Sequence, residues 1–334
     1  MKCIRPKYMN DFKCDGTACG SRCCKGWRVM VDGKTYNKYS HINNNADRED
    51  ILSKLLKSDD DRFFVKMNDD LSCPFLDADY LCKIQKRHGE DYLTDICHSY
   101  PRVTYKIGDI FEQSLTLTCP VAARLILLST EPIEFEEVEV DDIRGTFNWT
   151  DKINQSVESS IELQMSAIAI LQNKNLALDE RLIKLCSLLR DETEANDLNL
   201  NFDSVEHAKM MTEIFSKMYN ANMNEHKKSE LQTIYMSYHK TILARLMEYY
   251  THIFENYLVN EFFMRCYPFA FGGGVWKNCK IFITGFKAME FAIILTAISK
   301  NGFVSADEFL NMIDAINEKL DHNRGGMQTI IDTV

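Results

Sequence analysis

The sequence predicts a mainly α protein in which an irregular, cysteine-rich N-terminal region is packed on a helical C-terminal region. Three observations carry this expectation: nine of the twelve cysteines lie within the first 119 residues, apolar residues recur at helical spacing after residue 150, and an acidic run separates the two parts. The expected boundaries are 1–128 for the cysteine-cluster region, 129–150 for an acidic linker and 151–334 for a helical domain.

In the first region Pro6, Pro74, Pro101 and Pro120, together with several glycines, leave little room for long regular elements. Short helices are expected around Arg48 to Leu56 and around Asp91 to Ser99. Another should begin at Pro120, since proline at a first helical position precedes VAARLILL. The run EPIEFEEVEVDD (131–142) reads as a solvated linker or an exposed strand, serving as a solubilising surface or as an attraction for a lysine-bearing partner. The net charge of -10 is not shared evenly: residues 1 to 125 hold 20 basic against 18 acidic side chains, so the acidity belongs to the remainder. That balance disfavours a nucleic-acid partner.

The second region reads as helices. Val157, Ile161, Met165 and Ile168 follow helical spacing, as do Leu178, Leu182, Leu185 and Leu188. Asp203 with Glu206 reads as a capping box, and Leu243, Leu246, Tyr250, Ile253 and Tyr257 form a core stripe. Ser305 with Glu308 caps a last helix bearing Phe309, Met312, Ile313 and Ile316. Between these lies PFAFGGGVWKNC (268–279), whose glycines break regular structure. The apolar stretch from Ile281 to Ile298 carries Thr284, Lys287 and Glu290, which fits a buried helix better than a membrane span. The start MKCIRPKYMNDFKC has no apolar core of the signal-peptide kind, so the expected location is the cytoplasm, with no membrane insertion.

Crowded thiols without a secretory leader point to metal ligation rather than to a disulfide framework. Cys14, Cys19, Cys23 and Cys24 come first, followed by Cys73 and Cys82 in CPFLDADYLCKI, Cys97 in ICHSYPR and Cys119 in TCP. Tetrahedral zinc and a [4Fe-4S] cluster both accept four thiolates, and the spacing alone does not choose between them. Neighbouring side chains at Cys23 and Cys24 are expected to diverge. His88 and His98 lie near enough in sequence to be alternative ligands. Cys186, Cys266 and Cys279 read as small buried hydrophobes.

The segments CGSRCCKGW, CPFLDADYLCKI, ICHSYPR and SLTLTCPVAARLIL, spanning about residues 3 to 128, resemble the flagellin lysine-N-methylase (FliB-type) family. They also resemble the wider YkgJ-type cysteine-cluster pattern that this family shares. The helical remainder is less diagnostic. The resemblance implies an iron-sulfur (4Fe-4S) cluster and transfer of a methyl group from S-adenosylmethionine to flagellin lysines. By motif position the matching cysteines are Cys19, Cys23, Cys24, Cys73, Cys82 and Cys97, while Cys14 and Cys119 fit the narrower family.

Methylating a lysine requires its neutral amine, and an ordinary lysine has a pKa of roughly 10.4, so a proton must leave. Asp77, Asp79, Glu90, Asp95, Tyr100 and Tyr267 lie near the motif blocks, but none stands out as the base. No glycine-rich turn follows a predicted strand, so a Rossmann cofactor site is not legible, and Gly272 to Gly274 read as a plain loop. A radical C-x3-C-x2-C motif is missing as well: after Cys19 and Cys23 the third position is Gly26. The cluster is then either a brace for loosely packed chain or a Lewis acid toward the cofactor. Trp27, Arg28 and Arg102 flank the motifs as packing and ion-pairing residues, with Arg102 a candidate for the cofactor carboxylate. Two rival readings stand beside the methylase: a non-enzymatic metal-cluster module, and a zinc-stabilised protein-interaction protein.

Overall fold

The computed structural model describes every residue except 15, 17, 18, 142, 154, 155, 192–197, 199, 220, 222 and 323. Asp142, at the end of the acidic run, therefore lies outside the described residues. The chain divides into two compact units. The first holds Met1–Arg5, Met9–Ala122 and Glu136–Asn148, and the second holds Pro6–Tyr8, Ala123–Phe135 and Trp149–Val334.

The structure is mainly α, but the N-terminal region is not irregular. It carries β1 (Lys2–Pro6), β2 (Met30–Val31), β3 (Leu55–Lys57), β4 (Phe63–Val65), β5 (Arg102–Ile107) and β6 (Ile110–Leu115), and the stretch expected as a linker adds β7 (Phe135–Glu139) and β8 (Thr146–Asn148). They form a five-stranded sheet in the order β7-β1-β6-β5-β8 and a three-stranded sheet in the order β2-β4-β3. The hairpin of β5 and β6 pairs Arg102 with Leu115 through Ile107 with Ile110, turning at Gly108, whose φ of 61° suits a residue without a Cβ. On either side of this hairpin a strand runs parallel to its neighbour, β1 along β6 and β8 along β5.

The acidic run contributes an edge strand rather than a free linker, and its charges are met by the first residues of the chain. Glu136 lies 3.0 Å from Arg5, Glu137 lies 3.0 Å from Lys2, and Glu139 lies 2.8 Å from the N-terminal amine. A separate pair joins Glu134 to Lys7 at 2.6 Å. Exposed pairs of this sort contribute little to stability. Their effect is to fix which segment flanks β1, and they leave that much less acidic surface for a basic partner.

Small helices complete the first unit: α1 (Gly33–Ser40), α2 (Asn45–Ser53), α3 (Lys83–His88) and α4 (Asp95–Ser99). Side-chain caps open α1, α2 and α4, where Asp32, Asn44 and Thr94 accept backbone N–H groups of Thr35, Asp47 and Cys97. Their apolar faces enclose a core of Val29, Val31, Tyr39, Ile42, Ile51, Val65, Phe75 and Ile84. The helix expected after Pro120 is α5 (Pro120–Leu127), beginning on the proline itself.

In the second unit the helices are α6 (Val157–Leu171), α7 (Leu178–Leu189), α8 (Val205–Met218), α9 (Glu225–Met264), α10 (Gly274–Ser299), α11 (Ala306–Asn317) and α12 (Arg324–Thr333). The cap of α8 is Ser204, which accepts the His207 N–H, rather than Asp203. Asp203 instead takes Lys240 at 2.9 Å and His239 at 3.2 Å. The stripe on α9 buries Leu246, Ile253 and Tyr257, and the helix bends at Tyr250, whose phenol donates to the Val304 carbonyl at 2.7 Å. Ser305 and Glu308 form the expected capping box on α11.

Helix α10 is long and apolar enough to cross a membrane by length and composition, and most of its apolar window is buried inside the protein. It packs against α7, α8, α9, α11 and α12. Three charged side chains, Lys280, Lys287 and Glu290, are buried within it. Lys287 Nζ lies 2.6 Å from Asp179 and 2.9 Å from Glu290, so the buried charge is paired rather than bare. The preceding glycine turn is closed by Asn278, whose amide donates to the carbonyls of Phe271 and Gly274.

Candidate functional site

The eight candidate ligands fall into two groups by which thiols influence one another. Cys23 and Cys24 form a tight turn, with the Cys24 N–H donating to the Ser21 carbonyl. Cys24 in turn receives the Cys73 N–H on its own carbonyl at 2.8 Å. Cys82 bridges to Leu76 and opens α3, and Cys97 sits in the first turn of α4. Cys73, Cys82 and Cys97 all pack against the same apolar core.

The five thiols of this group sense one another. Burial pushes Cys73 up to about 11 and Cys97 up to about 12, and neighbouring thiolates add to each shift. Burial raises Cys82 as well, with Cys23 among the groups adding to it. The expectation that Cys23 and Cys24 diverge does not hold: their sulfurs stand 3.8 Å apart, because the tight turn brings consecutive side chains to one side. Within that pair a hydrogen bond from Cys24 lowers Cys23 to about 7, while Cys24 is pushed up. Among the described residues no three Cys, His, Asp or Glu side chains stand grouped as ligands around a single ion.

Cys14, Cys19 and Cys119 form the other group. Cys119 is buried at the start of α5, which raises its pKa to about 11, with Cys19 and Cys14 adding to the shift. Tyr100 feels both groups, since Cys119 and Cys23 each oppose ionisation of its phenol, after burial as the main cause. The two candidate histidines face carboxylates: His98 Nε2 is 3.4 Å from Glu90 and His88 Nε2 is 3.6 Å from Asp47.

Beside the larger thiol group lies a cavity of about 340 Å³. Trp27 forms part of its wall, donating its indole N–H to the Cys23 carbonyl at 2.6 Å, with its ring 5.9 Å from that of Tyr100. Asp95, Tyr100 and Arg102 from the sequence-derived candidates line it too. Asp77 and Asp79 do not: Asp77 is held in a turn by Lys86 and by the N–H groups of Asp79 and Leu81. Tyr267 is buried in the helical unit.

Asp32, Gly145 and Phe147 also line the cavity and were not legible as site residues. The only local signal at Asp32 is that of a helix cap. Its carboxylate accepts the N–H and hydroxyl of Thr35 and the N–H of Asp95, which outweigh burial and hold it below the usual carboxylate range. Arg144 fixes Asp95 from behind, Nε to Oδ1 at 3.0 Å, and donates to the Leu93 carbonyl. Gly145 has a φ of 69°, and a Cβ there would come within 2.8 Å of the Ser99 hydroxyl, so the wall closes only over a glycine.

Comparison with known proteins places the chain. Residues 196–334 match the model of the FliB lysine N-methylase C-terminal domain. A flagellar biosynthetic protein, FliU, of Salmonella muenchen is 34% identical over 126 residues, covering 36% of this chain and 75% of that protein. The chain belongs to the FliB lysine N-methylase family. Proteins named lysine-N-methylase from Salmonella choleraesuis and Salmonella typhimurium are each 33% identical over 147 residues, which is 43% of this chain. The match spans 36% of the length of each of those two relatives. No solved structure matches. The helical part, the less diagnostic half by eye, is thus the part that the FliB family model recognises.

Proposed function

We infer that this chain is a protein-lysine N-methyltransferase that moves a methyl group from S-adenosylmethionine to lysine side chains of flagellin. Its likeness to relatives named lysine-N-methylase carries this reading, and the name of the FliU relative supplies the flagellar connection. The reaction forms one N–C bond and breaks one S–C bond. The lysine amine gives its electron pair to the methyl carbon, the sulfonium leaves as a neutral thioether, and a proton departs from nitrogen. An apolar approach lowers the lysine pKa before attack, and a carboxylate takes the proton; Asp95, which lines the cavity, is the candidate this reading offers.

A [4Fe-4S] cluster fits the chemistry of the larger thiol group. Cys23, Cys24, Cys73, Cys82 and Cys97 offer more than the four thiolates such a cluster needs, from loops that share one core. Held by these cysteines, the cluster would serve as a brace between the four segments of the first unit that carry them. Methyl transfer to an amine moves no net electron, so the reaction itself asks for no redox partner.

Incubating anaerobically purified protein with methyl-labelled S-adenosylmethionine and flagellin tests the reading. Label on lysine is the expected result. Absence of label with iron and sulfide both present at full content would sink it.

A further inference from the structure

We propose that the cavity beside the thiol group is the binding site for the methyl donor, with its adenine against the aromatic wall and its amino-acid end at Arg102. This rests on the methyltransferase reading above and adds the place where the donor sits. At about 340 Å³ the cavity falls within the roughly 300–1,000 Å³ of small-molecule pockets, and it exceeds what a lone lysine side chain fills.

Its walls are of two kinds. Trp27, Tyr100 and Phe147 present aromatic surface, and Phe147 is 53% exposed, so its ring is open to a ligand. Asp32 and Asp95 bring negative charge and Arg102 brings positive charge. A flat ring, a cation and a carboxylate on one molecule satisfy all of these together. S-adenosylmethionine has each: adenine for stacking, a sulfonium attracted by ring faces and carboxylates, and a carboxylate for the guanidinium fork.

The side chains that would do this are held in advance. Asp32 is fixed by three donors and Asp95 by Arg144. Trp27 is tied to the Cys23 carbonyl, so the orientation of the ring depends on the turn that carries two of the thiols. Arg102 carries its guanidinium 5.6 Å from the centre of the Phe12 ring, a contact that steadies it.

Equilibrium binding to the full-length protein, purified anaerobically, tests the proposal with two unreactive ligands. S-adenosylhomocysteine carries the amino-acid end, and 5′-methylthioadenosine lacks it. Phe147→Ala, at an exposed side chain, should weaken both by about tenfold or more with an unchanged circular dichroism spectrum. Arg102→Gln should weaken S-adenosylhomocysteine by a similar factor and leave 5′-methylthioadenosine unchanged. Wild-type affinity in both variants overturns the proposal, as does an equal loss for the two ligands in Arg102→Gln. If the wild-type protein methylates lysine while both variants bind normally, the site assignment fails and the activity stands. If the wild-type protein neither binds nor methylates, both fall.

Discussion

The indole nitrogen of Trp27 donates to the carbonyl of Cys23 at 2.6 Å, which ties the turn carrying two of the thiols to the wall of the cavity. Trp27→Phe keeps a ring in the wall and loses the bond. It should cost about 1 kcal/mol of stability. Trp27→Ala also removes buried aromatic area, so thermal denaturation of the two variants should show a clearly larger drop for alanine.

The larger thiol group should behave as a unit. Cys73→Ser, Cys82→Ser and Cys97→Ser should each lower bound iron and the broad visible absorbance of anaerobically purified protein. Cys186→Ala serves as the contrast, because Cys186 and Cys279 are buried partners inside the helical unit, and its iron content should match the wild type. Metal analysis by mass spectrometry reads this directly. A colourless, zinc-loaded wild type would contradict the iron-sulfur assignment.

Inside the helical unit, Lys287 is almost wholly buried between Asp179 and Glu290. Burial acts to push Lys287 down, but the two carboxylates outweigh it and hold the lysine charged; burial raises Glu290. Lys287→Met strands a buried carboxylate and should cost about 3–5 kcal/mol. Adding Glu290→Leu should return part of that loss, and urea denaturation of the single and double variants measures the coupling.

His207 supplies a pH dependence. Burial, and then the nearby charge of Lys287, lower its pKa from 6.5 to about 4. Unfolded chains therefore bind a proton at this side chain that the folded protein refuses between those values. Stability from this group is fully present above pH 6.5 and is lost as pH falls toward 4, by about 3 kcal/mol at most. His207→Gln should flatten that part of the stability curve relative to wild type.

The helices after residue 150 were legible because both their periodicity and their caps are local. Ser305 with Glu308 shows this, and the one-residue displacement at Ser204 arose because two neighbouring oxygens compete for one cap. The five-stranded sheet was not legible. Its edge strand FEEVE is charged, and its neighbour β1 lies more than a hundred residues away, so the pairing depends on Lys2, Arg5 and the N-terminal amine meeting Glu137, Glu136 and Glu139. Cysteine order pointed to eight candidates, and motif position already set Cys14 and Cys119 apart from the other six; what the fold adds is the influence of Cys19, with Cys14, on Cys119. The cavity was partly visible through Asp95, Tyr100 and Arg102. Asp32 and Phe147 reach it from segments that carry no motif, so only tertiary structure assigns them.

Lysine methyl transfer is tested most directly by mass spectrometry of flagellin after incubation with this protein and S-adenosylmethionine. The expected result is a mass gain of one methylene per event, confined to lysine and dependent on the donor. Unmodified lysines, in the presence of fully metallated protein and bound donor, would contradict it.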